Sequence, residues 1–441
     1  MVESRTPKKS FKQAFTPFVE LIQEYPSFRR LWIAQAISNF GDWFGLLALY
    51  ALIQRYSDSE FLLGLVIIVK MLSLAFFSPI AGYLTDRFNR RLLMIICDGG
   101  RALSLLLMLF VQQDSLLWLA YVLTGFQMML SAIFEPAKTS SIPNVAPSDR
   151  LVDANIISTA TWSIIFTTGM AIGGFATEWI GVEAVFILDA MTYLVSAWFI
   201  YKAVIPQEGR SSDSVAYDEK PSLWKDIRQN IVKDIKLGVR YLRDNHHILR
   251  PAVAKGTSTI FLGGLVYMLV LVSDDILQMG SIGLGLLYAA RGIGTGIGPV
   301  IARHYFTNEG QWIVVMGASI ALSGAMYLVV GLTQVWWMMF VFILLAHAAS
   351  GANWVTSTVL LQKRSEDNFR GRVFSTEWLL FTLGNSLSVI VASALLEWQI
   401  VDLQSLISVY AVGLMVAGLI WLSTVANWER NWLQKSLSPK V

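Results

Sequence analysis

The sequence predicts an all-α integral membrane protein: twelve transmembrane helices in two pseudo-symmetric six-helix bundles. Three observations predict it. Of 441 residues, 55% are hydrophobic and only 15% charged, with a mean hydropathy of +0.54. Soluble domains carry about 25% charge, and a chain this long would need roughly three of them, each with a polar skin. Second, the chain holds twelve apolar runs of the ~20 residues that cross a bilayer as a helix. Third, Lys and Arg gather in alternate loops. The composition excludes a disordered chain, a coiled coil and an ordinary cytosolic enzyme. The single cysteine, Cys97, excludes an intrachain disulfide or a thiolate metal cluster. A net charge of +3 is too small to suggest nucleic acid.

The runs span 31–53, 61–82, 92–111, 116–136, 154–177, 183–203, 252–273, 281–302, 312–332, 335–358, 373–396 and 403–425. The first carries Asp42. The second runs from Gly64 to Pro79 and holds Lys70. The third reads as a span despite Asp98 and Arg101. The fourth reaches Glu135, the fifth contains Gly169, Gly173 and Gly174, and the sixth holds Asp189. The eighth runs from Gly285 to Pro299 with Arg291 inside it. Its Gly292, Gly294, Gly296 and Gly298 read as helix packing rather than a dinucleotide loop. The tenth holds His347 and the eleventh Glu377. No cleavable signal peptide is expected, because about thirty polar and basic residues precede the first run.

Orientation follows from basic residues in short loops. Arg5, Lys8, Lys9, Lys12, Arg29 and Arg30 precede the first run. Arg87, Arg90 and Arg91 follow the second, Lys138 and Arg150 the fourth, and Lys363, Arg364, Arg370 and Arg372 the tenth. Nine more lie in 204–251, whereas the opposite loops carry only Arg55. The expected organisation is a cytoplasmic segment 1–30, a six-helix bundle 31–203, a cytoplasmic linker 204–251, a second bundle 252–425 and a cytoplasmic tail 426–441. Within the linker, Leu223, Ile227, Ile231, Ile235, Val239 and Leu242 fall on one helical stripe, which reads as an interfacial amphipathic helix. Phe11, Phe15, Phe18 and Ile22 make a weaker one. The halves repeat faintly: Lys70 and Arg291 occupy corresponding places, and Pro147–Leu151 corresponds to Ser365–Phe369. Duplicated halves about an axis along the membrane normal are a transporter pattern.

Gly82-Tyr-Leu-Thr-Asp86-Arg87-Phe-Asn-Arg90-Arg91 resembles the signature loop of the major facilitator superfamily, Gly-x-x-x-Asp-Arg-x-Gly-Arg-Arg, with Asn89 replacing the second glycine. Asn tolerates a left-handed turn better than most residues. Phe28-Arg-Arg-Leu-Trp, Asn39-Phe-Gly-Asp42-Trp, Asp98-x-x-Arg101-Ala, Phe134-Glu-Pro-Ala-Lys138, Ala154-Asn155, Asp189-Ala, Ala290-Arg291-Gly-x-Gly and Arg370-Gly-Arg-Val-Phe-Ser375 are similar to the macrolide-efflux and enterobactin-exporter-like drug/proton antiporters of that superfamily. The resemblance covers residues 28–425. It implies the major facilitator fold, alternating access and a cavity lined by the first, fourth, seventh and tenth helices. Met170 stands where antiporters of the superfamily often carry a proline.

The loop also makes physical sense by itself. Asp86 is placed to cap the eleventh helix near Gly371–Phe374, and Arg90 to pair with Asp86 and Glu135. With Gly82, Arg87 and Arg91 these residues form an expected conformational latch that favours an outward-facing state. The competing reading is a solvated basic loop.

Ionisable residues at membrane depth are functional candidates. Asp42, eleven residues past Leu31 or ~16 Å along a helix, is the first proton-coupling candidate; the competing role is packing, bonded to Asn39 or a neighbouring helix. Asp98 and Arg101, one turn apart, read as an ion pair and join Asp189 and Glu377 as further coupling candidates. Lys70 and Arg291 either face Asp42 and the Asp274–Asp275 region or contact an anionic substrate. Gln127, Met128, Trp162, Phe166, Tyr267, Asn353, Trp354 and Trp378 are cavity candidates, since Met and aromatic side chains suit amphipathic ligands.

No phosphate-binding loop, metal cluster or catalytic constellation is present in the sequence, so no cofactor, metal or enzymatic activity is expected. The expected protein is a monomeric secondary transporter of the bacterial plasma membrane, with both termini cytoplasmic. It exports an amphipathic, drug- or macrolide-like small molecule in exchange for protons. A siderophore or metabolite exporter, a lysophospholipid carrier and a non-transporting scaffold or sensor remain open alternatives.

Overall fold

The computed structural model describes residues 19–147, 150–206, 236–306, 309–365 and 367–429. Much of the expected linker, the segment before residue 19 and the tail beyond 429 lie outside them. So do the side chains of Gly82, Asp86, Arg87, Arg370, Gly371 and Arg372.

Twelve long helices carry the described fold: α1 Pro26–Tyr56, α2 Glu60–Arg87, α3 Arg90–Met108, α4 Leu117–Val145, α5 Leu151–Ile180, α6 Val182–Lys202, α7 His246–Leu271, α8 Gly280–Tyr305, α9 Glu309–Leu332, α10 Trp336–Arg364, α11 Asp367–Glu397 and α12 Leu403–Ile420. Ten of them hold a described stretch long and apolar enough to cross a membrane. α3 carries Arg90, Arg91, Asp98 and Arg101, whereas α5 has no charged residue between Ala154 and Thr177.

Local chemistry sets the helix ends. Pro26 opens α1, where a missing N–H costs nothing. The Ser59 side chain accepts from Leu62 N–H and caps α2. Asn89, expected in a left-handed turn, is extended (φ −63°) and accepts from Leu92 N–H, so it caps α3 instead. Gly181 joins α5 to α6 at φ +84°, a region open to glycine at no steric cost.

Packing repeats after six helices. The pairs α1·α5, α1·α6, α2·α4, α3·α4 and α3·α6 recur as α7·α11, α7·α12, α8·α10, α9·α10 and α9·α12. The two sets meet along α2·α11 and α5·α8. Glycine permits that approach: a Cβ on Gly285 would meet the Met170 carbonyl at 2.9 Å and Gly174 Cα at 3.1 Å. In α8 a Cβ on Gly294 or Gly298 would collide with the α10 backbone at Leu344 or Ala348, the packing expected of those glycines, whereas one on Gly296 would meet open space.

The helix connections lie at two ends, called here the Asn89 end and the Gly181 end. Hydrogen bonds join the two sets at the Gly181 end. Gln54 donates to Asp274. Tyr267 Oη donates to the Glu60 carbonyl (2.5 Å), and Ser59 Oγ and Phe61 N–H donate to Glu397 Oε2 (2.8 and 3.2 Å). The expected amphipathic helix of the linker is described only over 236–244, where Leu242 is buried against Ile248, Ala252, Leu361 and Val373.

Candidate functional site

α1, α3, α4 and α6 bring one chain of polar groups into the first six helices. The Gln127 amide donates to Tyr193 Oη (3.1 Å), and Tyr193 Oη donates to Asp42 Oδ1 (2.5 Å). The other Asp42 oxygen lies 3.9 Å from the Arg101 guanidinium. Arg101 is ion-paired one turn back with Asp98, whose second oxygen accepts from Ser196 Oγ at 2.7 Å. Phe134 and Tyr193 hold the guanidinium, with centroids at 4.4 and 4.5 Å. Arg101 and Asp98 are sealed, with side chains 3% and 0% exposed, whereas Asp42 keeps 25%. Asp42 is thus hydrogen-bonded to a neighbouring helix, with Tyr193 rather than Asn39 as the donor.

Asp42, Lys70, Gln127 and Asp189 line a cavity with room for about one water. Lys70 Nζ makes no ion pair within 4.0 Å among the described residues, and it shares the wall of this space with Asp42 and Asp189. Asp189 is buried, and its own Thr192 Oγ1 donates to it at 3.3 Å. Its carboxyl group fits a notch that Gly41 and Gly45 leave on α1, where any Cβ would collide with its oxygens. Lys70 thus shares a cavity with Asp42. Asp274 is instead held by Gln54, and no ion pair joins it to Arg291.

The second set is built differently. Lys255 of α7 and Glu377 of α11 are paired at 2.5 Å, with side chains 4% and 7% exposed. Lys255 also donates to Thr358 Oγ1 (2.8 Å) and lies 3.8 Å over the Trp354 ring. Trp354 forms an aromatic cluster with Trp378 and Phe381, with centroids 5.1–6.4 Å apart. Asn353 donates to Ser258 Oγ at 2.9 Å and is buried. His347 is buried against Tyr327 Oη at 2.8 Å, a packing role.

Other expected positions divide. Met128 is buried and is absent from the cavity wall. Tyr267 is fully buried, and its hydroxyl donates to the Glu60 carbonyl at the Gly181 end. Trp162 and Phe166 stack, and Trp43 meets Phe166 edge-on at 4.6 Å. The expected Arg90–Glu135 pair is not formed. Glu135 turns one turn along its own helix to Lys138 (2.6 Å), while Arg90 donates to the Ser140 carbonyl and Asn144. Arg91 donates to the Tyr201 carbonyl.

Sequence reasoning missed Tyr193, Ser196, Lys255, Thr358 and Phe381. Only Lys255 carried a signal, as a cation three residues inside an apolar run. Chemically, the first set offers a carboxyl group reachable by water, next to a cation already claimed by a second carboxyl group. The second offers a closed one-to-one pair.

The sequence model described as the Major Facilitator Superfamily matches residues 31–388. The chain is similar to the uncharacterized MFS-type transporter YfiS of Bacillus subtilis, at 25% identity over 94% of this chain and 98% of that one. It is 26% identical to "Putative bacilysin exporter BacE" of Bacillus amyloliquefaciens (86% and 92% covered). It is 21% identical to macrolide efflux protein A of Streptococcus pyogenes (83% and 88%). Among solved structures, a bacterial homologue of the human lysosomal transporter Spinster superposes with a TM-score of 0.66 at 16% identity, covering 95% of this chain and 99% of that one.

Proposed function

The chain belongs to the major facilitator superfamily, and from that premise we propose that this membrane transporter exports an amphipathic small molecule across the bacterial plasma membrane, by alternating access and in exchange for protons. Relatives named for efflux and export support the direction. The one-sided Lys and Arg distribution supports cytoplasmic termini, which sets the Asn89 end inward. Hydrogen bonds between the halves at the opposite end then support reading the described state as the one closed to the outside.

One observation carries the proton part. Asp42 is a partly exposed carboxyl group in a polar cavity, and its nearest cation is already paired with Asp98. Protonating Asp42 therefore strands no buried cation, because Arg101 keeps Asp98. A buried charge left unpaired is what makes such changes costly. Gln127, Trp162, Phe166, Arg291, Trp354 and Trp378 are proposed to border the substrate path. The loop from Gly82 to Arg91 is proposed to latch the halves in the opposite, outward-facing state. Substrate-induced thermal stabilisation across drugs, siderophores and lipids identifies the cargo, since a binder stabilises by mass action. Reconstitution with an imposed pH gradient then tests export. A bound compound that never moves uphill under any pH gradient contradicts the exchange.

A further inference from the structure

We propose that Arg291 is an anion subsite that receives a carboxylate of the transported molecule, whose apolar body lies against Trp43, Trp162 and Phe166. This rests on the exporter reading above and narrows its substrate to amphipathic acids or zwitterions.

Arg291 lies eleven residues into α8, or ~16 Å along it. Its guanidinium sits 5.4 Å from the Phe166 ring and 5.4 Å from the Tyr288 ring, and it forms no ion pair with a described residue. Tyr50, Tyr288, Tyr327 and His347 lie within its electrostatic reach, and none of these four is a carboxyl group. The other deep cations are answered: Arg101 by Asp98, Lys255 by Glu377, and Lys70 by the Asp42 and Asp189 that share its cavity wall. A cation without an acid at membrane depth is expensive, and this side chain is only half-buried. Aromatic faces hold it in place but take up no more than its π surface. Its planar fork of five N–H donors is left for a ligand, and that fork matches a carboxylate bidentately.

The neighbouring wall supplies the rest. Phe166, the ring beside Arg291, is stacked on Trp162 at 5.6 Å and 5° and meets Trp43 at 4.6 Å. Trp162 is 40% exposed. One ring thus joins the cation to an aromatic surface, so an acid group and an apolar body one ring-width apart are recognised together. A cationic or wholly apolar cargo would instead desolvate Arg291 with nothing in return.

The test uses the full-length protein in detergent at constant ionic strength. The probes are N-acetylated tryptophan, phenylalanine and leucine, each beside its neutral amide. For at least one pair the acid is expected to bind at least tenfold more tightly than its amide. In Arg291→Gln that preference falls to about onefold while amide affinity is unchanged, and Arg291→Lys retains part of it. Amides binding as tightly as acids, no acid preferred over its amide, or a preference that survives Arg291→Gln each overturns the proposal. Chloride or phosphate alone, stabilising the wild type as much as the acids do and only through Arg291, makes it a free-anion site and overturns the substrate assignment. Flux separates the two readings. Neutral probes driven uphill by a pH gradient leave the exporter standing and remove the subsite. Acids that bind through Arg291 but never move leave the subsite and remove the exporter.

Discussion

The charged centres of the two halves are built on opposite arithmetic. In the first half Asp42, Asp98 and Asp189 outnumber Lys70 and Arg101, and the members span α1, α2, α3 and α6. In the second, Lys255 and Glu377 cancel one-to-one in a sealed site, and Arg291 is left over without an acid. Two bundles with the same packing pairs have thus specialised. An excess of acid beside a water-sized cavity suits proton exchange, and an excess of cation beside aromatic rings suits an anionic cargo. Shared architecture fixes where such groups sit, and the charge balance around each decides what it can do.

The comparison is broken or sharpened by substitution. The largest effect is expected for Arg101→Gln. It strands Asp98, which is fully buried, at a cost of about 3–5 kcal/mol on the scale of broken buried pairs. Adding Asp98→Asn should restore most of that loss, read as melting temperature in detergent. If Arg101→Gln alone melts with the wild type, the first-half network is not a structural unit. Next, Lys255→Met or Glu377→Gln should each cost about 3 kcal/mol, while the double variant returns to within about 1 kcal/mol of wild type. Such a double variant should also keep pH-driven transport; its loss would move coupling into the second half. A comparable change, about a hundredfold in the balance of facing states, is expected from Asp86→Asn or Arg90→Ala, measured as distances between labels at the Asn89 ends. Unchanged populations in both would leave the loop a topological signal only. Tyr193→Phe removes one hydrogen bond to Asp42 and should cost about 1 kcal/mol, with flux reduced rather than abolished.

Much of this site was legible in the sequence, because an ionisable residue inside an apolar run stands out against its background. Asp42, Lys70, Asp98, Arg101, Asp189, Arg291 and Glu377 all showed themselves that way. Their partners on other helices did not. Tyr193 and Phe381 are ordinary members of apolar runs, and only the fold shows that one reaches Asp42 and the other stacks on Trp378 beside Trp354. Lys255 itself hid near the start of its run, where a cation reads as a boundary residue. The bond from the Tyr267 hydroxyl to the Glu60 carbonyl was equally hidden, because it joins residues 207 positions apart. Arg90 and Glu135 were matched on charge and approximate depth, but Lys138, one turn from Glu135, is the nearer partner.

The most direct test is the Asp42→Asn variant, assayed in proteoliposomes for pH-driven flux and, in parallel, for substrate exchange at equal pH. The asparagine keeps the shape and charge of a protonated acid, and Arg101 keeps Asp98, so folding and binding should persist. Proton release cannot occur. Exchange at the wild-type rate with uphill transport abolished is the expected result. Substrate still accumulated against its gradient at the wild-type rate would make Asp42 structural, and would move the coupling role to Asp98, Asp189 or Glu377 or remove proton exchange altogether.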